Sequence, residues 1–380
     1  MDAMKKPHAR TSTVSPQQVA AFRLARHHLL APKGNDPVAV CRHVCGIQAQ
    51  LMTAARMNLA ARTRGLSPNA IEAALWRDRT LVKSLSIRQT VHLLAAEDFP
   101  VFAAAIRRSR LAAVVRVMER LRITPSDREA LLRATLESLE GGPVAKGELT
   151  RRIRPRVSSR VREWMDRVWN AARLALVEGL ICYGPDCGQQ VTFVRVDRWL
   201  PAAPRLTAGE AQARMLAAFL RAYGPATPRD FAKWSGLSAP EARAAWDAAG
   251  ELAEVRVGGD RAWLVRADLP ALRNAAFDGP AVRLLAAFDS FLLAHAEKEH
   301  LVESRYYKRV YRNQGWISPV VLVRGAVEAT WEHAVAGDRL EITIHPFGTL
   351  PRDVRQGIEA EAGYLARFLG KSPAIAYARG

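Results

Sequence analysis

The strongest constraint on this fold is an order of helices and hairpins that recurs along the chain. Gly142-Pro143-Val144-Ala145 opens a short helix expected at 146–153. A longer helix follows at 162–178, then a hairpin across 180–194. Gly224-Pro225-Ala226-Thr227 opens the same series again. One helix ends near Trp234, another covers 239–249, and a hairpin over 253–265 turns at Gly258-Gly259. An earlier, less regular copy has helices at 15–30, 37–46, 54–64 and 67–77, then strands at 80–86 and 88–94. A recurring unit of this kind decides architecture before any single residue does. Helices followed by a two-stranded wing form a winged helix, a module that binds DNA.

The expected fold class is therefore α+β. It has three tandem winged-helix units at 15–122, 123–200 and 207–272. A loose tail (1–14) precedes them, and a β-rich α+β domain (275–380) follows. Together they are expected to form a concave basic DNA cleft. Between the units, 195–206 is Pro-rich and reads as a linker. A helix with many Arg on one face is expected at 99–121, and Thr124 should cap the next one. The last domain should hold strands at 282–288, 319–324, 326–331 and 339–345, a turn at Arg324-Gly325, and a helix at 354–369.

Charge agrees with this reading. Fifty-six Lys and Arg against 37 Asp and Glu give a net charge of +19, with Arg dominant. Such an excess suits a phosphate backbone, and guanidinium is the better phosphate fork. No run of 18 apolar residues exists to cross a membrane. Residues 1–15 have no apolar core of a secretory signal. The four cysteines lack paired Cys-x-x-Cys spacing, so no zinc site is expected. Cys41, Cys45, Cys182 and Cys187 read as buried or half-buried thiols of a reducing, cytoplasmic, nucleoid-associated protein. No metal and no cofactor are expected. Phosphate-loop, His-Glu-x-x-His, Gly-x-Ser-x-Gly and zinc-deaminase signatures are all absent.

Candidate chemistry is sparse. Gln48-Ala49-Gln50 places two amides at i and i+2, which share a face in extended backbone. They can orient water or bridge a sugar, but they have no titratable proton. Helix capping or solvent exposure is the bland alternative. Arg88, Thr90 and His92 alternate, so they share one face if they lie on a strand. They form either a wall of the DNA cleft or a packed hairpin. Asp289 suits a structural acceptor better than a supporting carboxylate. His295 and His300, with Glu297 and Glu299, look superficially like metal ligands; a solvated charged stretch explains them better. Arg305, Lys308, Arg309 and Arg312 interleave with Tyr306, Tyr307 and Tyr311. That cluster either touches phosphates and stacks at a lesion, or forms a basic surface helix.

Several stretches carry a resemblance. They are 44–62 with Gln48-Ala49-Gln50 and Ala60-Ala61-Arg62, Thr80-Leu81-Val82-Lys83, Arg88-Gln89-Thr90-Val91-His92, 284–293, 313–322 and Thr330-Trp331. In this order they resemble the AlkZ-type bacterial DNA glycosylases, tandem winged-helix enzymes acting on alkylpurines. The resemblance spans nearly the whole chain. Gln89 replaces the family's usual Gly, and Phe-Asp-Ser replaces Phe-Asp-Pro. Gln50 places the chain in the Gln-x-Gln branch rather than the sister branch with Asp there. The resemblance implies hydrolysis of the N-glycosidic bond of N-alkylated (N7) purines, with Gln48 and Gln50 as the catalytic pair and no lyase step. In some members it also implies the unhooking of antibiotic crosslinks for self-resistance. A monomer acting on double-stranded DNA is expected from the tandem basic modules. The rival reading is a non-enzymatic winged-helix transcriptional regulator. Such proteins are usually dimers on palindromic sites, and no coiled-coil segment is present to pair two chains.

Overall fold

The computed structural model describes residues 12–32, 34–168 and 170–378. In it, the order helix, short strand, two helices, hairpin recurs three times. The first series is Pro37–His43, Ile47–Gln48, Met52–Ala60, Pro68–Glu72 extended by a π-turn at Ala73–Arg77, then Leu81–Leu85 and Val91–Ala95. The second is Pro125–Ser138, Val144–Ala145, Lys146–Ile153, Ser159–Val168 with Arg173–Glu178, then Ile181–Cys187 and Gln190–Arg195. In the third, Ala208–Tyr223 leads to an isolated bridge between Ala226 and Trp263 in place of the short strand. Helices Pro228–Ser235 and Ala239–Asp247 and the strands Leu252–Val257 and Asp260–Val265 complete it.

Local chemistry sets the helix starts. Ser15, Thr124, Thr207, Thr227 and Ser238 each accept a hydrogen bond from the backbone three residues on, and the side chain at that position returns one. Several helix ends differ from expectation. The first helix stops at Arg26, well short of residue 30. The stretch 162–178 is two helices, and Asn170 Oδ1 restarts the chain by accepting from Ala172 N at 3.0 Å. The expected linker contains a turn of helix, Val196–Trp199. The expected loose tail is structured where described: Ser12–Val14 pairs parallel with Val255–Val257. Residues 1–11 lie outside the described region.

The three copies do not stand apart as separate units. The hairpins of the first two join through Lys83 and Tyr183 into one six-stranded sheet. Its order is Ile47–Gln48, Val91–Ala95, Leu81–Leu85, Ile181–Cys187, Gln190–Arg195, Val144–Ala145. The first copy's helices share a core with the C-terminal sheet, where Leu59, Ile71 and Leu75 pack in one cluster with Leu284, Val321, Trp331 and Ile358. That sheet has Val282–Leu285, Val320–Val323, Ala326–Ala336 and Arg339–Pro346 in antiparallel order, then Ser372–Tyr377 parallel to the fourth. The helix Arg352–Phe368 covers its first strand through Gly357, where a Cβ would come within 2.6 Å of Val282. No described helix is long and apolar enough to cross a membrane.

Candidate active site

Gly46 sets up the site. Its φ is +95°, and a Cβ there would come within 2.6 Å of Leu94 Cδ2 and 3.0 Å of the Leu93 carbonyl. Only glycine brings the next two residues flush against the hairpin. Ile47 then pairs with Leu93, and Gln48 with His92. His92 pairs in turn with Ser84. Gln48, His92 and Ser84 therefore form one row across three strands, on one face of the sheet. All three are buried. Ala49 N continues the pairing to the Val91 carbonyl at 2.7 Å. Gln50 lies just beyond, exposed, with its Oε1 3.4 Å from Val91 N. The two amides thus lie against the same strand in different states: one buried and held, the other open to solvent.

Arg88 does the holding. Its Nη2 donates to Gln48 Oε1 at 3.1 Å and lies 3.5 Å from His92 Nε2, and its Nη1 donates to the Trp234 carbonyl at 3.0 Å. The expected alternation of Arg88, Thr90 and His92 on one strand is not what forms. Ile87–Gln89 is a 3-10 turn with Arg88 at φ 53° and Gln89 at φ 58°, and the strand begins at Val91. Thr90 Oγ1 is spent on the Ile87 carbonyl at 3.2 Å. The left-handed turn is what bends Arg88 back over the glutamine. Gly236 of the third copy supports it, since a Cβ there would stand 3.4 Å from Arg88 N.

The electrostatics of this corner are unusual. Burial pulls Arg88 down to about 10, and among the described residues no carboxylate pairs with it. Burial, reinforced by Arg88, pushes His92 down to about 3, so its ring is neutral. His92 Nδ1 lies 3.0 Å from the Thr90 carbonyl, which places the ring proton there and turns the Nε2 lone pair toward Arg88. With Arg88 on its oxygen, Gln48 presents its NH2 as the remaining group, polarised as a donor. Nothing within hydrogen-bond reach of Gln48 is a strong base.

Distant segments brace the loop. Arg62 and Asp289, both fully buried, form a bidentate pair with both distances 2.7 Å. Asp289 also accepts from Phe291 N at 2.9 Å, so it acts as a structural acceptor. Ser290 Oγ donates to the Gly46 carbonyl at 3.0 Å, and Tyr223 Oη to that of Val44 at 2.8 Å. The stretch 295–300 is solvated only in part: Glu297, Glu299 and His300 are exposed, as expected of a charged run. His295 and Lys298 are buried, and Lys298 Nζ donates to the carbonyls of Leu292 and His295. Burial lowers Lys298 to about 8. No group of ligands able to hold a metal occurs among the described residues.

The basic-aromatic cluster divides in two. It is not a surface helix but a single turn, Tyr307–Val310, flanked by 3-10 turns. Arg305 pairs with Glu303 at 2.8 Å, and Arg309 lies 4.6 Å over the Phe347 ring. Lys308 and Arg312 have no such partners among the described residues and line a hollow with Tyr307, Tyr311 and Trp316. Three cysteines are buried, and burial pushes the Cys41 and Cys182 thiols up to about 12; Cys187 is exposed, against expectation. The sequence reading missed Gly46, Ser84 and Lys298. Gly46 had a signal: like Gly142 and Gly224, it lies within two residues of the point where the chain after a copy's first helix pairs with the hairpin, though without the following Pro.

This arrangement has known relatives. A Streptomyces sahachiroi protein named "Interstrand DNA cross-link repair glycosylase" is 29% identical over 374 residues, covering 94% of this chain and 97% of that protein. The solved structure of Streptomyces sahachiroi DNA glycosylase AlkZ superposes with a TM-score of 0.84 at 26% identity, over 96% of this chain and 100% of the other. The family model described as DNA glycosylase AlkZ-like matches residues 41–368, from just before the glutamine pair to the last long helix. The chain therefore belongs to the AlkZ-like DNA glycosylase family.

Proposed function

We propose that this protein is a monofunctional glycosylase that hydrolyses the N-glycosidic bond of N7-alkylated purines in duplex DNA. The observation that carries the reading is the Gln48–Arg88–His92 corner. It offers fixed hydrogen-bond groups and no strong acid or base. An N7-alkylated purine suits such a mild site. Its base is cationic and departs neutral, so no strong acid is needed for the leaving group. Water forms the C1′–O bond, the C1′–N9 bond breaks with its electron pair going to the purine, and the water's proton passes to solvent. The protein must hold the sugar, stabilise oxocarbenium character and place the water. Gln48 and Gln50 are the pair proposed for this work.

A lyase step needs a free amine. Lys298, drawn down to about 8, is tied to two backbone carbonyls. No lysine is among the groups bonded to Gln48, Arg88 or His92, and we propose no β-elimination. An exposed Gln50 suits a site open enough for bulky adducts, and the cross-link repair in the relative's name favours crosslinks as substrates. The working form is proposed to be a monomer on the nucleoid, without metal or cofactor, protecting its cell against an alkylating agent.

The test uses purified protein and duplex carrying N7-methylguanine. Free base in solution and strand breaks only after alkali support the proposal. Breaks without alkali, or an enzyme–DNA adduct trapped by borohydride, would show a lyase. No released base, together with a preference for one undamaged operator sequence, would show a regulator instead.

A further inference from the structure

The hollow beside Tyr307 has no part in the chemistry described above. Tyr307 and Tyr311 stack at 4.8 Å between ring centroids. Trp316 lines the same hollow and touches Phe288 edge-on at 5.0 Å. Tyr307 is 42% exposed and Trp316 40%, unusual for large rings. Trp316 is set in place by a tight loop: Gln314 and Gly315 are left-handed at φ 58° and 75°, and Arg312 N donates to the Trp316 carbonyl at 2.8 Å. Lys308 and Arg312 stand on the rim without a carboxylate among the described residues, while the neighbouring Arg305 and Arg309 are already committed. The open volume is about 660 Å³, ample for one nucleotide.

The hollow also shares a wall with the glutamine site. Tyr311 Oη donates to the Leu292 carbonyl at 2.9 Å, as Lys298 Nζ does. Two residues earlier, Ser290 holds the Gly46 carbonyl next to Ile47-Gln48. A single helical turn, Ser290–Leu293, therefore links the two places.

We propose that this hollow binds one nucleotide of the duplex, next to the lesion and drawn out of the base stack. Its base stacks on the exposed faces of Trp316 and the Tyr307–Tyr311 pair. Its phosphate is held by Lys308 and Arg312. Flat ring faces with free cations at their edge match a base joined to a phosphate. They match no purely apolar ligand, because two cations would stay unpaired beside it. The proposal rests on the chain handling damaged duplex, but not on which bond it cuts.

The test combines photocrosslinking with binding, so excision plays no part in the readout. Duplexes carry 5-iodouracil at successive positions around a non-cleavable 2′-fluoro N7-methylguanosine. Irradiation of the full-length protein should join one position to the peptide containing Tyr307–Trp316. Trp316→Ala should remove that crosslink and weaken binding about tenfold. Trp316→Phe should restore most of both. Lys308→Ala/Arg312→Ala should lower the slope of log affinity against log salt by about 1 to 2, while Trp316→Ala leaves the slope unchanged. Crosslinks elsewhere on the protein, or binding unaltered in Trp316→Ala, would overturn the subsite. A wild-type protein that crosslinks through Tyr307–Trp316 but releases no base from cleavable duplex would overturn the catalytic reading and leave the subsite standing.

Discussion

At the scale of the residue, the orientation of one amide decides the chemistry. Arg88 donates to Gln48 Oε1 at 3.1 Å, so the free end of Gln48 carries N–H bonds and not a lone pair. The role proposed for it is then that of a donor, to the departing purine or to a sugar oxygen, while the unbound end of Gln50 is proposed to orient water. This separates two substitutions that look alike. Gln48→Glu has no N–H to give and would close an ion pair with Arg88. It should be as slow as Gln48→Ala in single-turnover excision. If Gln48 instead accepts from water, Gln48→Glu should match or exceed the wild type. Arg88→Gln should lower kcat with KM little changed, because the amide loses its fixed orientation and not its contact area.

At the scale of the element, the site depends on pieces far apart in sequence. Arg62 and Asp289 are 227 positions apart and fully buried. Arg62→Ala strands a carboxylate in the core and should cost about 3–5 kcal/mol in urea unfolding; a joint Arg62→Leu/Asp289→Leu change should recover much of it. Gly46→Ala meets both a left-handed backbone and Leu94, and a loss of at least ~2 kcal/mol is expected in the same assay. An unchanged midpoint in either single variant would contradict the packing described. What could be read from the chain follows from these distances. The capping boxes at Thr124 and Thr227 and the Gly258-Gly259 hairpin are local, and they form where the residues place them. The Arg88 turn was not legible, since Ile87 to His92 has the composition of a strand. The contacts with Trp234 and Gly236 help hold it in a turn. The shared six-stranded sheet was hidden for the same reason, because a repeat does not show which neighbour its edge will meet. Gln48 and Gln50 were visible as a pair, but their unequal burial was not.

At the scale of the whole molecule, charge and buried histidines set the response to solution conditions. His27, His92 and His295 are all buried and held below the ordinary imidazole value by desolvation. Each is neutral in the folded protein, whereas the unfolded chain takes up a proton below about pH 6.5. Their contribution is therefore complete above that pH and is lost as pH falls below it. Each ring that stays neutral in the fold adds to the loss as the unfolded chain becomes protonated, so stability falls as pH drops below about 6.5. Thermal melts should show Tm falling steeply there and nearly level from pH 7 to 8. A Tm independent of pH down to 5 would mean these rings are solvated. The net charge of +19 should also make affinity for duplex fall with salt at about −0.9 per phosphate contact on a log-log plot.

The most direct measurement is single-turnover release of N7-methylguanine from duplex by the wild type and by Gln48→Ala and Gln50→Ala, with affinity for the same duplex measured in parallel. The glutamine pair predicts rates lower by about two orders of magnitude or more in each variant with affinity nearly unchanged. Wild-type rates in the double variant would contradict it.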